Sequence, residues 1–300
     1  MSAEQTSVAE PARKFGRVLP IKLFATTPAP PIDFLFQRLA LVAGTTGVIH
    51  APGGAGKSML TLEMCVALAL AGLISDWLDF GPIARGDGKA WRVMYYTAED
   101  PDAVIHHRVR EIADLWDLSD ELCELLAQRL RIVSLYGSPR VKIDDEATMR
   151  QVIDDVGTAG TRLTVFDTLT RFHGKDEIDN TEMAAVIGQF DRIAYKTRSA
   201  VVVLHHAGKS AVLNGLGSTQ QAARGASAIL DNARWGMSVS GTDVRGVVSV
   251  TETKHSYGAG SERYFAFTDR GVLSPCAPPG AKGHVRPCVA SVEDRWEAMR

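Results

Sequence analysis

Apolar residues in this chain fall into short unbroken runs, and between the runs they recur at helical spacing. "TTGVIH" (45–50) passes through "APGGAGKS" (51–58) into "MLTLEMCVALALAG", an almost wholly apolar stretch that reads as a buried helix. "WRVMYYTAED" (91–100) reads as a strand of apolar and aromatic residues ending in acids. Ile105, Val109, Ile112 and Trp116 then mark one face of a helix, with His106, His107 and Arg108 off that face as a solvated surface. "RIVSLYG" (131–137) predicts a strand and residues 146–157 a helix. The run Leu163 to Phe166 predicts a buried strand that stops at Asp167, and Met183, Val186, Ile187, Phe190 and Ile193 trace another helix face. "AVVVLHHAGKS" (200–210) opens as a further continuous apolar strand.

Strands apolar on both faces, alternating with helices, predict an α/β fold with a mostly parallel central sheet and helices on both sides. The later runs "NARWGMSVSG", "VRGVVSVTETKHSYG" and "ERYFAFTDRGVL" read as hairpin-like strands that extend the sheet in antiparallel fashion toward the C-terminus. No internal repeat and no second domain shows in the pattern. Residues 1–17 are polar and read as a flexible tail, 18–40 as a proline-rich arm, 41–275 as the folded domain and 276–300 as a second tail. An arm of apolar patches between prolines cannot build a core, so it lies over its own domain or on a neighbouring subunit.

With 300 residues, 45% of them hydrophobic, the chain can bury a sizeable core. A net charge of -2 excludes a broadly basic surface without excluding a local basic channel. Cys65, Cys123, Cys276 and Cys288 lie far apart, as free thiols of a reducing cytosol do. Cys276, His284 and Cys288 lack a fourth ligand and sit among prolines and glycines, so that region reads as a tail rather than a zinc site. No stretch has the apolar length of a membrane span, and the expectation is a soluble cytoplasmic protein.

The glycine cluster changes the picture most. Gly53, Gly54 and Gly56 bare the backbone directly before an apolar helix, an arrangement that turns N–H groups around an anion while the helix aims its positive end at the same place. Pro52 through Met59, with Ala55 between the last two glycines, is then a phosphate-binding loop for ATP. Lys57 reaches the β- and γ-phosphates and the Ser58 hydroxyl holds Mg²⁺. Ala51 stands where the first glycine of the strict motif is expected, a departure that a small residue at negative φ tolerates.

Ligands of open α/β sheets sit outside the carboxyl ends of the strands, and the remaining candidates follow such ends. Glu99 is placed to activate the attacking water, with Asp100 as the cap of the helix that begins near Pro101. Asp167 is placed to hold Mg²⁺ beside Ser58. His205 and His206 are either structural histidines or a contact to the γ-phosphate. Residues 207–228 are rich in Gly, Ser, Asn and Gln and long for a connection, which suits a loop that contacts single-stranded nucleic acid, with Lys209, Asn214 and Gln220 as candidates. Arg224 could serve its own site, a neighbour's, or only the surface.

Taken in order, "APGGAGKS", "AEDPDAVIHHR", "VFDTLTRFH", "VLHHAGK", "QQAARGASAILDNARW" and "TKHSYG" resemble the RepA-type hexameric replicative helicases of broad-host-range plasmids, within the RecA-like ATPase superfamily. The similarity runs from about residue 20 to about residue 275. It implies a homo-oligomeric ring of six subunits with ATP and Mg²⁺ bound between neighbours, and single-stranded DNA threaded through the centre during plasmid or phage-type replication with other replication proteins. It further implies Lys57 and Ser58 on phosphate and metal, Glu99 on water, Asp167 on the metal, His206 as γ-phosphate sensor, Arg224 as a finger in the adjacent site with Lys254 as a second candidate, and the arm reaching a neighbour. Ala51 matches the resemblance, which also has a non-glycine there. Two other classes stay open: a RecA-like DNA-dependent ATPase that does not unwind, and a nucleotide-gated scaffold.

Overall fold

The computed structural model describes residues 16, 18–84, 91–206 and 227–280. Two compact units divide the chain between Ile32 and Asp33. In the first, α1 (Ile21–Thr26) follows Pro20 and buries no side chain; Val18, Leu19, Ile21, Leu23 and Phe24 are all exposed.

The second unit opens with a hairpin, β1 (Phe34–Phe36) and β2 (Leu39–Val42), and continues with β3 (Thr46–Ala51) and α2 (Lys57–Ala69). After β4 (Arg92–Thr97) come α3 (Asp102–Leu115), α4 (Asp120–Arg129), β5 (Leu130–Ser134), α5 (Glu146–Ala159) and β6 (Thr161–Asp167). Then follow α6 (Asn180–Thr197), β7 (Ala200–His206), α7 (Ser227–Asn232) and the strands β8 (Trp235–Gly241), β9 (Val247–His255), β10 (Glu262–Phe267) and β11 (Leu273–Cys276). The large sheet runs β11-β10-β9-β8-β3-β7-β6-β4-β5. All pairings from β8 to β5 are parallel and those from β8 to β11 antiparallel, so the mostly parallel sheet with an antiparallel extension is as the apolar runs predict.

Alternation along each central strand sends side chains into two cores. Val93 and Tyr95, Val165, and Val202 and Leu204 join α2, α3 and α4 on one face. Met94 and Tyr96, Phe166, and Val201 and Val203 join α5, α6 and α7 on the other. Burial on both faces is why these strands read as continuous apolar runs. Nearly every side chain of α2 is buried, which explains its lack of a polar stripe.

Local chemistry sets the helix ends. Asp145 accepts from Thr148 N at 2.8 Å to start α5, and Asp179 accepts from Thr181 N and Glu182 N to start α6. Two elements depart from the sequence-based expectation. Helix α4 was not anticipated, although Ser119 caps it by accepting from Leu122 N. Residues 33–40, expected within the arm, form the β1–β2 hairpin instead, with Leu35 and Phe36 fully buried. Arg162 pairs with Asp33, and Glu252 Oε1 accepts from Ala40 N at 2.8 Å, so the body of the domain begins at the hairpin. No helix among the described residues is long and apolar enough to cross a membrane.

Candidate active site

Strand β3 delivers the glycine loop to the carboxyl edge of the sheet. Its last residue, Ala51, lies beside His206 at the end of β7. The loop turns at Pro52, whose carbonyl accepts from Ala55 N, and Gly54 and Gly56 both take positive φ, +79° and +91°. Gly56 is demanded twice, because a Cβ there would also meet the Phe267 ring at 2.6 Å. Phe267 ends β10, so the antiparallel extension braces the loop that precedes α2. Gly53 takes no positive φ and a Cβ there would meet nothing within 4 Å.

Lys57 is almost wholly buried, with its Nζ 3.3 Å from both ring nitrogens of His206. Burial pulls its ammonium below the ordinary lysine range, while Asp167, Glu99 and Asp100 hold it up. His206 in turn places Nε2 3.5 Å from Glu99 Oε2. An imidazole that accepts from Lys57 through one nitrogen carries its proton on the other, so Nε2 is the donor to Glu99. That contact, ahead of burial which opposes it, keeps the Glu99 carboxyl below the ordinary glutamate range. Glu99 is therefore ionised at neutral pH.

Asp167 ends β6 and is sealed from solvent. Tyr95 donates its phenol to Oδ2 at 2.6 Å, but Oδ1 has no hydrogen-bond donor. Burial raises the carboxyl above the ordinary aspartate range; Tyr95, the nearby Ser58 hydroxyl and Lys57 pull against it. A buried carboxylate oxygen left without a donor, next to a hydroxyl at the start of α2, is the donor set a hard divalent cation takes, so these residues fit Mg²⁺.

Three expectations need correction or relocation. Asp100 is not the helix cap: α3 starts after Pro101 with no side-chain cap, and Asp100 instead accepts from Arg108 at 2.6 Å. Arg108 is correspondingly withdrawn from the solvated face assigned to it; the ion pair draws it half under the surface. Lys254 is occupied within the chain, its Nζ donating to the carbonyls of Leu230 at 2.9 Å and Asp231 at 2.6 Å at the end of α7. Arg224, Lys209, Asn214 and Gln220 lie outside the described residues. His205 is the inward member of the histidine pair, buried where His206 is not.

Sequence reasoning passed over Tyr95 and Arg171. Tyr95 was one aromatic among several in a strand, and only the parallel pairing of β4 with β6 carries its hydroxyl to Asp167. Arg171 follows the turn after β6 and adds positive field at Glu99, while its guanidinium donates to Ser138 O at 3.2 Å.

Residues 10–212 match the family described as the AAA domain, which is more than half of the chain. The chain belongs to the AAA domain family. The AAA domain here also superposes on solved structures that share its fold. One is the ATPase domain of a helicase, with a TM-score of 0.54 and 13% identity over 77% of this chain and 84% of that one. Another is the RadB recombinase, with a TM-score of 0.51 and 16% identity over 77% of this chain and 90% of that one. The fold of this AAA domain is RecA-like, and the chain is a P-loop ATPase of that architecture.

Proposed function

We propose that this protein is an ATP-driven ring motor that hydrolyses ATP between identical subunits, moves along single-stranded DNA and unwinds duplex. The observation that carries the ATPase half is the convergence of Lys57, His206, Glu99 and Asp167, from four separate segments, on one edge of the sheet. The motor half rests on the resemblance to RepA-type helicases, which extends through the histidine pair to the Arg224 segment. A homo-hexamer and a cytoplasmic place in replication, alongside other replication proteins, belong to the same reading.

In this reading the N–H groups of residues 53–58 and the Lys57 ammonium bind the β- and γ-phosphates. Ser58 and Asp167 would hold Mg²⁺, which when bound neutralises charge on the phosphate oxygens. Glu99, ionised at neutral pH, accepts the proton of the attacking water. His206, between Lys57 and Glu99, joins the phosphate-binding lysine to the general base and passes changes there to the segment that follows β7. The cavity of about 660 Å³ beside Phe267 and Arg270 offers room for the nucleobase. Arg224 supplies a guanidinium to the next subunit's site, which makes turnover depend on assembly.

Lys57→Ala should lower ATP turnover by at least about a hundredfold, since it removes the main cation on the transferred group. Unwinding of a forked duplex, measured beside ATPase activity, tests the motor: turnover stimulated by single-stranded DNA with no strand displaced would replace it with the second reading. That second reading, a DNA-dependent ATPase in recombination without unwinding, draws on the likeness to the RadB recombinase.

A further inference from the structure

We propose that Glu177 is a positioning residue that holds the tip of β7, and through it sets His206 between Lys57 and Glu99. The inference rests on the role of His206 given above. The ladder between β6 and β7 runs from Leu163↔Ala200 to Phe166↔Val203 and stops there, whereas β3 pairs with β7 as far as His206. On its β6 side the last part of β7 is therefore held by side chains instead of backbone. Thr168 Oγ1 donates to Leu204 O at 2.7 Å, and the next residue, His205, faces Glu177, with its Nδ1 3.9 Å from Oε2.

Glu177 is itself aimed. Thr170 Oγ1 donates to its Oε1 at 2.5 Å, and His173 Nε2 lies 3.5 Å from the same oxygen. Lys175 N donates to His173 Nδ1 at 3.1 Å, which places the His173 proton on Nε2, toward the carboxylate. His173 and His205 are both almost fully buried, and neither His173 Nε2 nor His205 Nδ1 has another hydrogen-bond partner. Glu177 is thus the acceptor toward which both buried imidazoles turn. The His173 contact first, together with the Thr170 bond, lowers the Glu177 carboxyl to about 2, so it is an anion throughout the working range.

Successive residues of a strand point to opposite faces, so a carboxylate that fixes His205 on one face fixes the setting of His206 on the other. The anchor comes from the segment that begins at Asp167. One short stretch of chain therefore carries the carboxylate that would face the metal and the carboxylate that sets the sensor, so movement of either is felt by both.

The test is steady-state ATP turnover with Mg²⁺, with folding of each variant checked by circular dichroism. Glu177→Gln keeps an acceptor for Thr170 and removes the charge; Thr170→Val removes the hydroxyl that aims it, and Thr170→Ser keeps that hydroxyl. Glu177→Gln and Thr170→Val should each lower kcat about tenfold, leave the KM for ATP within about twofold, and Thr170→Ser should stay near wild type. In a His206→Ala background, Glu177→Gln should change kcat by less than about twofold, because the side chain it positions is gone. An unchanged kcat in folded Glu177→Gln and Thr170→Val overturns the proposal, as does a full tenfold loss in the His206→Ala background. Should Glu177→Gln not fold, the Thr170 pair decides it. Failure of the underlying reading looks different: His206→Ala alone would then turn over ATP at the wild-type rate.

Discussion

Tyr95 Oη sits 2.6 Å from Asp167 Oδ2 at the buried end of β6 and donates its proton to that carboxylate, whose other oxygen has no donor. Removing the phenol leaves an ionised group sealed from water with less to hold its charge. Tyr95→Phe should lower the free energy of unfolding by about 1.5 to 3 kcal/mol in urea titration, and raise the Mg²⁺ concentration for half-maximal turnover. Buried histidines make a second prediction at this scale. Burial, with His205 adding to it, lowers His50 to about 4, and burial lowers His205 to about 4 against the pull of Glu177. Each is neutral in the folded protein where the unfolded chain takes up a proton. Their contribution is therefore whole above the unfolded value of 6.5 and is lost as pH falls from there toward 4. Stability in urea should drop by roughly 2 kcal/mol per imidazole on going from about pH 7.5 to about pH 5, and His50→Gln should flatten that slope. A profile flat over that interval would show that these rings are solvated.

Among the elements, the phosphate loop and the β10–β11 hairpin form one unit. Gly56 lies against the Phe267 ring, and Glu63 of α2, pushed well above the ordinary glutamate range by burial and so a neutral acid, accepts from Leu273 N at 2.9 Å. Gly56→Ala should destabilise the protein by about 1 to 3 kcal/mol and weaken nucleotide binding, because φ is +91° there as well as crowded. Phe267→Leu in the same chain should restore only part of the loss in thermal unfolding, since it relieves the contact and not the backbone conformation. Most elements were legible from periodicity: the strands from β3 to β7, the long helices and the antiparallel strands all lie where the apolar pattern predicts. Helix α4 and the β1–β2 hairpin were not. A ten-residue helix with one buried side chain leaves a faint stripe, and a hairpin behind a proline-rich segment shares its composition.

For the whole molecule, the decisive expectation is that neither subunit of a pair is complete alone. Mixing Lys57→Ala protein with Arg224→Ala protein, each nearly inactive, should restore turnover toward about a quarter of the wild-type level, the share of interfaces that pair an intact loop with an intact arginine when subunits mix at random. Turnover that stays at the level of the separate variants would mean that the arginine acts within its own chain or not at all. Dependence of the specific activity on protein concentration would follow the same logic and is read in a simple dilution series.

Much of this was available from linear order. Side-chain alternation, helical spacing and a glycine loop followed by lysine and serine are local properties, and they suffice for a parallel α/β sheet with a phosphate site at one strand's end, because propensity and burial act over a few residues. The identity of the carboxyl-edge candidates came the same way, from the place where each apolar run stops. What no local pattern carries is who faces whom. Tyr95 reaches Asp167 only because β4 lies beside β6, Arg108 leaves the solvated face because Asp100 waits just ahead of its helix, and Glu177 meets His205 only because β6 and β7 stop pairing at Val203. The first and last of these join segments distant along the chain, and their energies depend on burial that exists once the sheet has assembled.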